Sequence, residues 1–323
     1  LPGSRLFANP YYSAQIGEDG SLSVEAGGDR PAEAAGFLTV CKDGRVHDSR
    51  EDVRRIEAYR QGPVFDRYLI EGRLAGAPFR QWITFCHALP RIDVRTEIDF
   101  GDGTTFGPPQ GDEGHPGEEA EALALNLRSP LRRLFVDSPF FLGDGAGERA
   151  VALSIAGLDD DRQRGLAVLS RGRSSYHVDS STGVLKSVLS PRQTRLSGNR
   201  WWERAFMPFT SRLQAMRSAV DYQLPCLGVF LTPPTGNLPP AGSFLMIEPE
   251  EAFLSAMFVR QGRVYVRLWN PSPSGVNASV GSGEPLSLRR CSLDLVDEAP
   301  VAEAIPLRPW GVQTLRLAGA GET

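Results

Sequence analysis

Trp201, Trp202, Glu203 and Arg204 follow one another without a gap. Indoles pack well against the C–H faces of sugar rings, and a carboxylate and a guanidinium beside them can bond the hydroxyls, so the group suits carbohydrate contact. The same indoles suit a protein core or a domain interface, because tryptophan is highly buried on average. Trp82, Trp269 and Trp310 each lie in or beside an apolar run and read as core. Acid–base work on a glycosidic bond needs two carboxylates flanking the sugar, and 39 acidic residues give no means of choosing a pair.

Other chemistries find less support. His47 follows a turn, His115 lies in a polar loop, and His87 and His177 sit in strand patterns, so all four histidines read as surface or sheet residues. Cys41, Cys86, Cys226 and Cys291 form no C-x-x-C pair and read as buried thiols of a reduced, cytoplasmic protein. Gly143-Asp144-Gly145-Ala146-Gly147 lacks the helix and the Lys-Ser/Thr ending of a phosphate loop and reads as a turn. Asp159-Asp160-Asp161 lacks the spacing of a calcium loop and reads as a solvated turn. No Gly-x-Ser-x-Gly elbow occurs. No catalytic residue and no metal ligand is assigned.

The elements that must position these residues are nearly all strands. Ile92, Val94, Thr96, Ile98 and Phe100 alternate with Arg91, Asp93, Arg95, Glu97 and Asp99, a period of 2 that demands a strand with one dry face and one wet face. Val64–Leu74 and Phe79–Ala88 precede it as two more strands. Around Gly17-Glu18-Asp19-Gly20 a hairpin is expected, and Gly36–Cys41 is a strand closed by Lys42-Asp43-Gly44. Leu166–Leu169 and Ser175–Asp179 read as a hairpin across Arg171-Gly172-Arg173, with a third strand, Leu185–Leu189, after Ser180–Gly183. Leu131–Val136, Arg149–Ile155, Trp201–Phe209 and Ala219–Thr232 are further strands. Arg50–Arg60 is a charged surface segment compatible with a helix, Ser211–Val220 is the other helix candidate, and Gly101–Glu121 is a long loop.

Thr232–Gly242 holds four prolines in eleven residues and reads as a linker, which places a boundary between 1–235 and 242–323. Beyond it five or so short strands suffice for a small sandwich. A net charge of −4 without a basic block argues against nucleic acid, and no apolar run approaches the length of a membrane-spanning helix. Leu1 is not an initiator methionine, and the chain is expected to be a piece whose upstream part is absent.

These stretches together resemble the C-terminal β region of the glycoside hydrolase family 38 α-mannosidases. The matching pieces are Asn9-Pro10-Tyr11-Tyr12 with Asp19-Gly20, Gly62-Pro63-Val64, Pro90–Phe100, Gly165–Leu169 with Arg171-Gly172 and Tyr176, Ser243-Phe244-Leu245, Val266–Asn270, Leu293–Glu298 and Thr314–Leu317. Their order runs over almost the whole chain. The resemblance implies an all-β chain: a galactose-mutarotase-like antiparallel supersandwich over 1–235 and a small C-terminal β-sandwich over 242–323. It further implies that the aspartate nucleophile and the zinc ligands belong to an absent N-terminal catalytic domain, the principal partner, so no cofactor is expected in this chain. Mannose-glycan hydrolysis would follow only when the two are joined. The segments at 136–165 and 101–121 depart from the family pattern, so no family residue is carried over.

Trp201, Trp202, Glu203 and Arg204 are then candidates for contact with carbohydrate or with the catalytic domain. Two other readings stay open. One is a stand-alone carbohydrate-binding or scaffold module. The other is a sugar-epimerase type of enzyme in which His87 or His177 meets a carboxylate across a concave sheet. Self-association is left open by the sequence, and fold alone does not choose among these readings.

Overall fold

The computed structural model describes residues 5–106, 123–145, 147–172, 174–191, 195–224, 242–283, 286–301 and 304–319, without the side chains of residues 30 and 319. The chain divides into two compact units. The first comprises 1–138 and 143–225, the second 139–142 and 226–323. The expected linker lies outside the described residues except for Gly242. Both units are antiparallel β, as the sequence implies.

Two nine-stranded sheets make most of the first unit, beside a two-stranded one of Thr104–Thr105 and Arg195–Leu196. The front sheet runs in the order Phe141–Asp144, Arg133–Ser138, Ile155–Asp159, Gly165–Ser170, Asn199–Phe209, Ile92–Asp99, Ala77–Cys86, Phe65–Leu74, Val53–Gln61. The back sheet runs Leu6–Ala8, Ser13–Ile16, Leu22–Ala26, Asp29–Lys42, Leu123–Arg128, Val184–Ser190, Ser174–Asp179, Arg149–Ala152, with Arg45–Asp48 paired beside Asp29–Lys42. One continuous core fills the space between them, including Leu22, Leu38, Ile83, Ile98, Leu125, Tyr176 and Phe206. In Ile92–Asp99 the residues Ile92, Val94, Thr96 and Ile98 are buried and the four between them are not, which is the alternation the sequence shows.

Polar side chains also cross the core. Buried Gln81 donates its amide to the Gly36 carbonyl of the opposite sheet at 2.9 Å and to Thr96 Oγ1 at 3.0 Å. Gly36 can offer that carbonyl because its φ of +81° bends the strand where the register with Leu123–Arg128 shifts. Two paired sheets with hydrogen-bonded polar bridges cannot slide past each other without stranding the bridging groups.

Several expectations need correction. Leu166–Leu169 and Ser175–Asp179 do not form a hairpin. Gly165–Ser170 is a fully buried central strand of the front sheet between Ile155–Asp159 and Asn199–Phe209, whereas Ser174–Asp179 pairs in the back sheet with Val184–Ser190 and Arg149–Ala152. The Arg171-Gly172 turn therefore carries the chain from one sheet to the other. Arg149–Ile155 splits in the same way, its two ends serving different sheets.

Arg50–Arg60 is not helical: a short 3-10 turn at Ser49–Asp52 leads into the edge strand Val53–Gln61. Its many charges suit an edge, where exposed backbone would otherwise invite another strand. Ser211 caps a helix, α1, at Arg212–Gln223 by accepting from the Gln214 N–H at 3.2 Å, so the strand expected from Ala219 is helical as far as Gln223 and lies outside the described residues from 225 to 232. The loop expected at Gly101–Glu121 lies outside the described residues from 107 to 121.

Asp159 is not a solvated turn residue. Its carboxylate has no solvent exposure and accepts from Arg133 Nε at 2.7 Å and from Arg212 Nε at 2.6 Å. Arg212 also reaches Asp144 at 2.5 Å, and its guanidinium lies 5.0 Å from the Phe135 ring centroid. This network fastens α1 to the front sheet.

The second unit pairs a five-stranded sheet, Phe253–Arg260, Arg263–Trp269, Val312–Gly319, Leu286–Cys291 and Asp297–Val301 in that order, with a three-stranded one of Met246–Glu248, Val276–Gly281 and Ile305–Leu307. Val266, Leu268, Ala278, Ile305 and Leu315 form its core. The strands Val276–Gly281 and Ile305–Leu307 were not expected from the sequence, since each is short and weakly alternating. Trp269 is core, but Trp310 is 41% exposed at a left-handed turn position with φ +51°. No helix among the described residues is long and apolar enough to cross a membrane.

Candidate functional site

Alternation in the front sheet decides which side chains meet on its outer face. Across four strands the register aligns Arg67 with Thr84 and Asp93, aligns Leu69 with Trp82, Arg95 and Glu203, and aligns Glu71 with Arg80, Glu97 and Trp201. Directly opposed side chains on one face are contact neighbours. The result is a groove of about 530 Å³ lined by Tyr59, Trp82, Asp93, Arg95, Glu203 and Tyr222 among others. It continues into a neighbouring depression that shares Arg80 and Glu97.

Charge pairing holds the groove floor in place. Arg95 donates to Glu97 Oε1 at 2.7 Å while its guanidinium lies 5.9 Å from the Trp82 ring and 5.1 Å from the Trp201 ring. One cation thus bridges two indoles. Arg171, arriving from the sheet-crossing turn, donates to Glu203 Oε2 at 2.7 Å and through Nε to the Tyr222 carbonyl at 3.2 Å. Helix α1 presents Tyr222 to the groove, and the network at Asp159 and Arg212 fixes where that helix sits.

The structure divides the four consecutive candidates between two faces. Glu203 lines the groove, and Trp201, 58% exposed, stands on the same outer face in register with Glu97. Trp202 meets Phe100 edge-on at 6.4 Å and packs against the core. Arg204 donates to Ser187 Oγ at 3.0 Å and Ser174 Oγ at 2.8 Å, both on the back sheet, and so ties the sheets together. Four successive strand residues cannot share one face. Trp82, expected in the core, is instead a half-buried groove residue, because it is in phase with the polar residues Arg80 and Thr84. Its phase relative to Phe79, Ile83 and Phe85 was the available signal. Arg95 was legible only as a wet-face residue of its strand, and Tyr59 and Tyr222 carried no signal, since their convergence depends on strand order and on the docking of α1.

Asp93 accepts from Arg91 Nε at 2.9 Å, yet burial pushes its carboxyl above the ordinary carboxylate range, with the nearby Glu203 adding to the shift against the opposing pull of Arg91 and Arg171. A raised value means that the folded state binds this proton more tightly than the unfolded chain. The associated stability is fully present below the unfolded value and is lost as pH rises through the folded one. Asp93→Asn, which keeps an acceptor for Arg91, is therefore expected to melt higher than the parent at pH 7, with the gap closing as the pH falls toward about 4. A gap of constant size across that range in thermal scans would contradict this origin.

Other residues weighed in the sequence lie elsewhere. His87 Nε2 stands 3.6 Å from Asp66 Oδ2 at the end of neighbouring strands, away from the groove lining. His115 lies outside the described residues, as does Cys226, and Cys41, Cys86 and Cys291 are in no disulfide. Among the described residues no three His, Cys, Asp or Glu side chains converge as a metal site.

No family model matches the sequence, and no curated protein matches it. Solved structures do. An α-mannosidase from Enterococcus faecalis V583 superposes with a TM-score of 0.75 at 14% identity, over 98% of this chain and 42% of its own. A protein in the glycosyl hydrolase family 38 from Enterococcus faecalis gives a TM-score of 0.76 at 14% identity, over 98% of this chain and 44% of its own. The likeness is one of fold, and it bears out the architecture that the sequence resemblance implies. This chain spans less than half the length of those structures.

Proposed function

We propose that this chain is the non-catalytic β region of an α-mannosidase-like glycoside hydrolase, and that its front-sheet groove contacts the glycan. The observation that carries the reading is the superposition of nearly the whole chain on less than half of each α-mannosidase-type structure. Support for glycan contact comes from the groove and the face beside it: the Trp82 indole, two phenols and paired charges line the groove, and the Trp201 indole stands on the same face 5.1 Å from the Arg95 guanidinium, so stacking surfaces lie beside hydroxyl-bonding groups. The catalytic machinery then belongs to a partner domain that also binds the zinc. In this chain, Trp82 and Trp201 stack on sugar faces, while Glu203, oriented by Arg171, accepts from hydroxyls.

Hydrolysis of an aryl α-mannoside by the chain, with and without added zinc, tests the non-catalytic part. No turnover and no retained zinc is the expected result, and zinc-dependent turnover would overturn it. For the glycan part, Trp82→Ala and Trp201→Ala are each expected to weaken oligosaccharide binding roughly tenfold, a loss of about 1–1.5 kcal/mol. Trp201→Ala should leave the melting temperature nearly unchanged, because the residue is 58% exposed. Calorimetric titration reads the binding loss, and a thermal scan reads the melting temperature.

The stand-alone binding module is the second reading, and one observation favours it. Every groove residue named above comes from the first unit, so binding needs nothing from another domain.

A further inference from the structure

The groove contains four guanidinium groups, and three of them have a carboxylate partner. Arg80 pairs with Glu71 at 2.9 Å, Arg95 with Glu97 at 2.7 Å and Arg171 with Glu203 at 2.7 Å. Arg67 is the exception: among the described residues it has no carboxylate within ion-pair distance. Its Nε donates to Thr84 Oγ1 at 2.9 Å, and its guanidinium carbon lies 5.2 Å from the Phe65 ring centroid. Held at Nε by the hydroxyl and along its plane by the ring, it keeps its two terminal nitrogens for a ligand. A planar fork of this kind matches a carboxylate with two parallel hydrogen bonds.

We infer that the groove takes an acidic saccharide, and that Arg67 binds the carboxylate of a uronic acid residue seated between Tyr59 and Trp82. This rests on the carbohydrate reading of the groove. Arg67 shares its register row with Thr84 and Asp93, and Trp82 lies in the next row of the same face, a diagonal of about 7–8 Å, so a pyranose stacked on Trp82 can direct its exocyclic group toward the guanidinium. A neutral hydroxymethyl group would leave the cation unpaired in the groove, and a carboxylate would complete the pattern of paired charges already present across the face.

The test is titration of the chain with four probes: oligogalacturonate, its methyl ester, a neutral manno-oligosaccharide and dextran sulfate. Tighter binding of the free acid than of the ester is expected, with Arg67→Gln lowering affinity for the acid roughly tenfold or more and leaving the ester and neutral probes unchanged. Arg67→Lys keeps the charge without the fork and should fall between parent and Arg67→Gln. Unchanged neutral binding also certifies that the variants are folded. Equal affinity for acid and ester, with neutral probes still bound, would overturn this inference and leave the carbohydrate reading standing. Binding of none of the probes would overturn both. Dextran sulfate bound as well as oligogalacturonate, with no effect of Arg67→Gln, would show a general attraction of anions and would also overturn it.

Discussion

Replacing Asp159 by alanine is expected to cost about 3–5 kcal/mol of folding stability, because it removes the buried carboxylate that two guanidinium groups share. The Asp159 side chain has no solvent exposure and that of Arg212 only 10%. Without the carboxylate, Arg212 retains Asp144 at 2.5 Å, while Arg133 loses the acceptor of its Nε. The effect should reach the groove as well. Helix α1 begins at Arg212 and carries Tyr222, whose carbonyl accepts from Arg171 at 3.2 Å. Any variant that still folds should bind saccharide more weakly although no groove residue has changed. A double replacement, Asp159→Leu with Arg212→Met, removes both charges and is expected to be less damaging than Asp159→Ala alone. Denaturant unfolding of the two proteins distinguishes these outcomes, and equal losses would contradict the role given to the shared carboxylate.

Gly165→Ala is expected to be at least as severe. A Cβ at this position would lie 2.0 Å from the Leu158 carbonyl oxygen and 2.9 Å from the Asp159 Cα, both backbone atoms of the adjoining strand. Backbone within a paired ladder cannot step aside as a flexible side chain can, so Ile155–Asp159 and Gly165–Ser170 would have to separate. The change should remove more than about 3 kcal/mol, or prevent recovery of folded protein. Gly172→Ala is the control. Nothing stands within 4 Å of its Cβ position, so only the cost of its φ of +100° remains, about 1 kcal/mol. Gly165 opens the strand Gly165–Ser170 and Gly172 lies just beyond its end, and comparing the melting temperatures of the two variants separates steric exclusion from backbone preference.

The two cases also show where the sequence was informative and where it was silent. Alternation from Ile92 to Asp99 revealed both the strand and its wet face, because a period of 2 is a local property of the chain. The solid apolar run Leu166–Leu169 revealed a buried strand, but its partners could not be read from it. Pairing is non-local, and the turn at Arg171-Gly172 looks the same whether the chain folds back beside itself or crosses to a second sheet. Asp159 was misread for a related reason: an acidic triplet resembles a solvated turn until Arg133 and Arg212, far away in sequence, are brought to it.

The groove was half legible. Trp201 and Glu203 were singled out by composition, and they do share the outer face, whereas strand alternation turned Trp202 and Arg204 inward. Trp82, Arg95 and Tyr222 join them only through sheet order and the docking of α1. Each of those juxtapositions is fixed by registers between distant segments, and a single sequence carries no direct record of such registers.

The central claim is that the outer face of the front sheet is a saccharide site, and the most direct measurement is titration of the chain with oligosaccharides while following tryptophan fluorescence. Trp82 and Trp201 both lie within 6 Å of the Arg95 guanidinium, so a sugar entering the groove must perturb their surroundings. Saturable quenching or enhancement is expected for the parent, reduced in Trp201→Ala and further reduced when Trp82 is also replaced. A response to no oligosaccharide, or one that survives removal of both indoles, would contradict the claim.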